Sequence, residues 1–222
     1  MKNEQIQKQV QHALNWHPKL NAAEIGVTVK DGVVTLSGTV DAYAKKEEAE
    51  KTAKKVAGVK AVVEHINVHL ENPGSPTDQE VAQAIVDTFK WHWDIPEAKI
   101  KVKVENGLVT LEGEVNWNYE KEAARKAVSR LIGVKAIKNN IMVKAHRVKK
   151  IDIREIQDAL WRNPGIDDED INVTLEGQTV KLMGTVRSWY QKEEAGRMAW
   201  SAPGVEHVDN QLLVDNTLDN ID

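Results

Sequence analysis

Trp91-His92-Trp93 sets two indoles and an imidazole on three successive residues, with Lys90, Lys99, Lys101 and Lys103 close by. Indole has apolar faces and a polar N–H, and it suits places where one side is dry and the other wet. Ammonium groups pair with phosphate oxygens. Together these residue types make a surface that presses rings against lipid headgroups while lysines hold the phosphates. The chain carries seven Trp against one Phe and three Tyr, so the aromatic choice is biased toward indole. Trp16 and Trp161 also fall at the ends of expected helices, Trp117 and Trp189 near helix starts, and Trp200 inside one. The competing reading is that these rings pack helix ends and contacts between modules.

Other chemistries find little support. His65 and His69 sit on an expected strand, four residues and therefore about 13 Å apart, too far for one ion. H-E-x-x-H is absent, and Asp167-Asp168-Glu169-Asp170 lacks the glycine and spacing of a calcium loop. No nucleophile elbow, Walker loop or dinucleotide fingerprint occurs, so neither an enzyme nor a cofactor is expected. There is no cysteine, which removes thiolate chemistry and disulfides. The clamp and sheet aromatics of common RNA-binding modules are missing, and a pI near 6.0 argues against nucleic acid as partner.

The elements that must position the Trp–Lys stretch are written three times. Asp31-Gly32-Val33-Val34-Thr35-Leu36-Ser37-Gly38 returns as Asn106-Gly107-Leu108-Val109-Thr110-Leu111-Glu112-Gly113. A third copy, Glu176 to Gly184, has Gly177, Val180, Leu182 and Gly184 and reads as one residue longer. The closing glycines are 75 and 71 residues apart. Each copy predicts a hairpin whose second strand ends at that glycine.

The flanks repeat as well. Ile6, Val10 and Leu14, then Val81, Ile85 and Phe89, then Ile156 and Leu160 mark one apolar stripe on a first helix. Thr77-x-x-Glu80 and Asp152-x-x-Glu155 read as capping boxes. Asp41, Asn116 and Ser188 stand where a second helix should begin. Gly58, Gly133 and Gly204, each followed by valine, stand where it should stop. A last strand follows in each case. The reading is α+β: three tandem αββαβ modules over residues 1–71, 77–146 and 149–216, each a three-stranded sheet covered by two helices on one face. The linkers are Asn72-Pro73-Gly74-Ser75-Pro76 and Ala145-His146-Arg147-Val148-Lys149-Lys150.

These residues resemble the BON domain, a bacterial module with a G-x-V-x-L-x-G hairpin, a charge-rich helix, a Gly-Val pair and a strand with a central Asn. Gly32, Gly38 and Gly58, Gly107, Gly113 and Gly133, and Gly177, Gly184 and Gly204 carry the match. Asn139 and Asn210 fit the strand asparagine, where the first copy has Glu64. The resemblance implies a non-enzymatic, transport-associated module linked to phospholipid binding, envelope maintenance and osmotic stress. The matching glycines are fold-makers, so the resemblance assigns no binding residue.

Charge is uneven along the chain. Residues 1–71 balance at +1, residues 77–150 at +4 and residues 151–222 at −9. The basic middle module is the one that would meet an anionic surface. No stretch has the apolar run of a secretory signal or a bilayer span, so the sequence as written predicts a cytoplasmic protein, or a periplasmic one if a leader has been removed. Two functions follow: binding of anionic phospholipid through Trp91, Trp93, Lys90, Lys99, Lys101 and Lys103, or a soluble chaperone-like role with protein partners and no lipid. The oligomeric state stays open.

Overall fold

The computed structural model describes residues 3–69, 74–144, 151–166 and 170–215. Asn72 and Pro73 of the first linker, all of 145–150, and Asp167, Asp168 and Glu169 of the acidic run lie outside the described residues.

One element order occurs three times. The first copy is α1 (Asn3–Trp16), β1 (Ile25–Lys30), β2 (Val33–Val40), α2 (Tyr43–Lys54) and β3 (Ala61–Val68). The second is α3 (Asp78–Trp91), β4 (Ile100–Glu105), β5 (Leu108–Val115), α4 (Asn118–Ser129) and β6 (Ala136–Val143). The third is α5 (Ile153–Trp161), β7 (Ile171–Glu176), β8 (Thr179–Val186), α6 (Trp189–Trp200), β9 (His207–Asn210) and β10 (Leu213–Val214). The fold is α+β, with the middle strand of each sheet supplied by the second arm of the hairpin. In the third sheet the final strand is broken in two. Its register against β8 is nonetheless constant, Asn210 opposite Leu182 and Leu213 opposite Thr185, so the break inserts no residue.

Contacts group the chain into two compact units, residues 1–38, 48–66 and 148–222 in one and residues 39–47 and 67–147 in the other. In the second unit Val81, Ile85 and Phe89 of α3 and Ala124 and Val128 of α4 bury against Val109, Leu111, Val115 and Ile141. The period of two puts these strand residues on one face, which both helices cover, while Lys101, Lys103 and Glu105 point the other way. Tyr43 packs against the same core, and Glu47 accepts a hydrogen bond from Arg125 on α4. In the first unit Ile156 and Leu160 of α5 and Ala195 and Ala199 of α6 bury against Val173, Val180, Leu182 and Leu212.

Two expectations about the hairpin change. The loop has two residues in every copy, because Lys30 pairs with Val33, Glu105 with Leu108 and Glu176 with Thr179. The third copy therefore has no insertion; its glycine has moved to the first turn position. Asp31-Gly32 and Asn106-Gly107 have positive φ at both residues, the type I′ pattern, whereas only Gly177 does so in the third, the type II′ pattern. Nor does the closing glycine end the strand, which runs on to Val40, Val115 and Val186. Gly38, Gly113 and Gly184 lie opposite the first residue of the neighbouring strand, and a Cβ there would stand 1.9, 2.0 and 1.8 Å from the carbonyl oxygens of Glu24, Lys99 and Asp170.

The helix starts follow local chemistry. Thr77 and Glu80 form the expected capping box. Asp152 instead caps its helix through Arg154 N, at 2.9 Å, and α5 has nine residues where α1 and α3 have fourteen. Ser188 accepts from Gln191 N as expected. Asn116 stands one residue before the cap, with Glu120 accepting from both Asn116 N and Trp117 N. Asp41 pairs with Lys45.

Candidate functional site: an aromatic end of the second module

The second module has two distinct ends. The carboxylate of Asp78, at the start of α3, accepts from Asn106 N and Gly107 N at 2.7 and 2.9 Å, which ties that end of the helix to the hairpin. The far end of α3 is therefore gathered with the start of β4, the end of β5, the start of α4 and the end of β6. Trp91 and Trp93 stand there, 88% and 92% exposed. Trp117 stacks on Tyr119 at the start of α4, ring centroids 6.4 Å apart, and both are exposed. Burial and the nearby charges of Glu120 and Asp94 push the Tyr119 hydroxyl above the ordinary tyrosine range, so it stays a neutral donor. Four exposed rings thus share one end of the module.

The expected lysines divide. Lys99 lines an open cleft of about 300 Å³ at this end, with Glu114, Asn116 and Lys144. Lys144 is itself paired with Glu114. Lys90, one residue before Trp91, pairs with Asp87 at 3.1 Å. Hydrogen bonds from Gln83 and then Lys90 hold the Asp87 carboxyl below its usual range. Lys101 and Lys103 lie on the uncovered sheet face, Lys101 opposite Glu112 and Lys103 bonded to Glu105 at 2.9 Å. The structure therefore gathers Trp91, Trp93 and Lys99, keeps Lys90 beside them, and turns Lys101 and Lys103 onto another face. Tyr119 and Lys144 join the group unpredicted, together with Trp117, which the sequence marks only as an indole near a helix start. Their signal was topological: each lies next to a strand or helix boundary that the repeat brings to the same end.

Trp16 and Trp161 are also exposed at the ends of α1 and α5, so each first helix finishes on a wet indole. Trp189 and Trp200 are half-buried. Among the described residues no group of three or more His, Asp or Glu side chains is placed to hold a metal ion, and no helix is long and apolar enough to cross a membrane.

Comparison with known proteins agrees with the threefold repeat. The model of the BON domain matches residues 2–69, 77–145 and 153–216. Osmotically-inducible protein Y of Escherichia coli (strain K12) is 31% identical over 153 residues, covering 65% of this chain and 74% of that protein. Two solved structures of CdsD, a structural protein of the type III secretion system of Chlamydia trachomatis, align over 97% and 94% of this chain and 100% and 91% of theirs. Both are 13% identical with a TM-score of 0.27. With three matches that together span most of its length, the chain belongs to the BON-domain family.

Proposed function

We propose that this chain is a non-catalytic binding protein that engages anionic phospholipid surfaces through the aromatic end of its second module, in an osmotic or envelope-stress setting. The observation that carries this reading is the exposure of Trp91 and Trp93 beside Trp117, Tyr119, Lys99 and Lys144. A soluble domain gains nothing by holding large rings in water, and exposed apolar clusters mark contact surfaces. Rings of this type enter the headgroup layer while ammonium groups meet phosphates. The likeness to osmotically-inducible protein Y supports the stress setting.

Co-sedimentation with vesicles tests it. Binding is expected to anionic vesicles and not to neutral ones, to weaken with salt, and to be lost in Trp91→Ala/Trp93→Ala. Failure to sediment with anionic vesicles at low salt rejects the lipid reading. The second reading, a soluble protein with protein partners, is favoured by one observation: Lys90, Lys103 and Lys144 are each already paired with a carboxylate.

A further inference from the structure

Within the first unit, the end of α2 meets the start of α6 through charged and ammonium–ring contacts. Lys54 Nζ lies 2.6 Å from Glu193 Oε1 of the third module and 2.7 Å from Glu50 Oε1 of its own helix. The same ammonium is 6.0 Å from the Trp189 ring centroid, and Lys55 Nζ is 5.4 Å from that of Tyr190. Trp189 donates from Nε1 to Glu193 Oε1 at 3.1 Å, which fixes the carboxylate where Lys54 finds it. Lys51 acts on Glu194 by its charge. The donors Lys51, Lys54 and Lys55 form one stripe at i, i+3 and i+4, and Tyr190, Glu193 and Glu194 form the answering stripe. The fully buried residues of the two helices are small, Ala49 and Ala53 on α2 and Ala195, Gly196 and Ala199 on α6. Ala195 and Ala199 belong to the third module's own core.

Such a contact depends on the salt around it. Ion pairs at partly exposed sites and ammonium–ring contacts are individually weak and are screened, with a reach that falls from about 10 Å at 0.1 M salt to about 3 Å at 1 M. The Lys54 side chain is 15% exposed and that of Glu193 52%, so counterions reach one partner directly. Buried apolar contacts, which hold each module together, do not weaken in this way. The elements needed for a two-state device are present: modules with buried apolar residues of their own, and a junction whose strength depends on ionic strength.

We propose that the α2–α6 contact is an ionic-strength-sensitive latch, closed in dilute solution and released as salt rises. It joins the first module to the third through Lys54–Glu193 and the lysine–ring contacts beside it. Opening leaves both modules folded and exposes the Trp189–Tyr190 surface.

The chain has no cysteine, so two introduced thiols can be labelled without background. His65→Cys in the first module and Glu176→Cys in the third are both exposed strand positions. Electron–electron distance measurements on the full chain, spin-labelled at both sites, should give one narrow distance at about 0.02 M NaCl and a longer, broader distribution at about 1 M. Sucrose at matched osmolality should leave the narrow distance in place, separating screening from water activity. Lys54→Glu should be broad at every salt concentration. An unchanged distribution across the salt series overturns the proposal, as does a narrow distance in folded Lys54→Glu or an equal response to sucrose. Circular dichroism checks the fold of each variant; if one fails to fold, the salt series on the otherwise unaltered chain decides.

Discussion

Asn210 donates from its side-chain amide to the main-chain carbonyl of Lys192, 2.6 Å away, pinning the last strand of the third module to the helix that covers it. Its Oδ1 accepts from Leu212 N at 3.3 Å, beside the break between β9 and β10. Asn139 does the same in the second module, to Lys121 O at 3.3 Å and from Ile141 N at 3.2 Å. Asparagine is the side chain that offers both a donor and an acceptor at this reach. Asn210→Ala and Asn139→Ala should each lower stability by about 1–2 kcal/mol in urea titrations. Asn→Asp at either site should do no better, because it keeps the acceptor and loses the donor.

The neighbouring Gly196 predicts a coupling. A Cβ on this helical residue would sit 2.8 Å from Asn210 Nδ2, so the glycine makes room for the strand amide. Gly196→Ala should cost stability in the native background despite alanine's helix preference. In the Asn210→Ala background the same change should stabilise by about 1 kcal/mol, the propensity gain alone. A double-mutant cycle checks this; additive effects would show that the amide and the glycine act independently.

Gly113 is a different kind of glycine. Its φ of 143° and the 2.0 Å approach of Lys99 O to a would-be Cβ leave no room for any side chain, and the obstacle is backbone. Gly113→Ala should cost about 3 kcal/mol, with strand separation the only relief. Denaturant unfolding measures it, and a change under 1 kcal/mol would mean that the strands part easily there.

These particulars show what one sequence can convey. Strand alternation is set by a period of two, so Val109, Leu111 and Val115 could be placed on one face without coordinates. A glycine is ambiguous: Gly113 reads as a strand end, whereas its need is for two backbones to approach closely in mid-strand. The third hairpin reads as longer because Gly177 changes turn position, and only pairing shows that the loop length is the same. The lysines illustrate a third limit. Lys99, Lys101 and Lys103 are neighbours in sequence, yet β4 presents the last two on the uncovered sheet face while Lys99 stays in the turn before it. Indole exposure was equally illegible, because the same residue type serves a packed helix end and a wet surface.

A pH dependence follows from the capping box of α3. Hydrogen bonds from Thr77, backbone first and hydroxyl second, hold the Glu80 carboxyl below its ordinary value of 4.5. A carboxyl depressed in the folded state contributes stability that is fully present above the unfolded value and is lost as pH falls through the folded one. The stability difference between the native chain and Glu80→Gln should therefore be constant near neutrality and shrink below about pH 4.5. Thr77→Ala, which removes the cap itself, should cost about 1 kcal/mol at neutral pH. Urea titrations at several pH values test both, and a Glu80→Gln difference that grows on acidification would contradict the assignment.

The division of the lysines makes the lipid reading quantitative. Lys99 lies with Lys144 at the end that bears Trp91, Trp93, Trp117 and Tyr119, whereas Lys103 is bonded to Glu105 on the open sheet face. A basic side chain close to an anionic bilayer is worth about 1 kcal/mol, or about fivefold in affinity. Lys99→Ala should weaken binding to anionic vesicles by about that factor, and Lys99→Glu by more, since reversal also adds repulsion. Lys103→Ala should change it little, because it removes a charge that is already paired and points elsewhere. Trp117→Ala should weaken binding to neutral-diluted and fully anionic vesicles alike, as loss of a ring removes apolar contact rather than charge. If Lys103→Ala weakens binding as much as Lys99→Ala does, the lipid meets the sheet face and the aromatic end is not the contact.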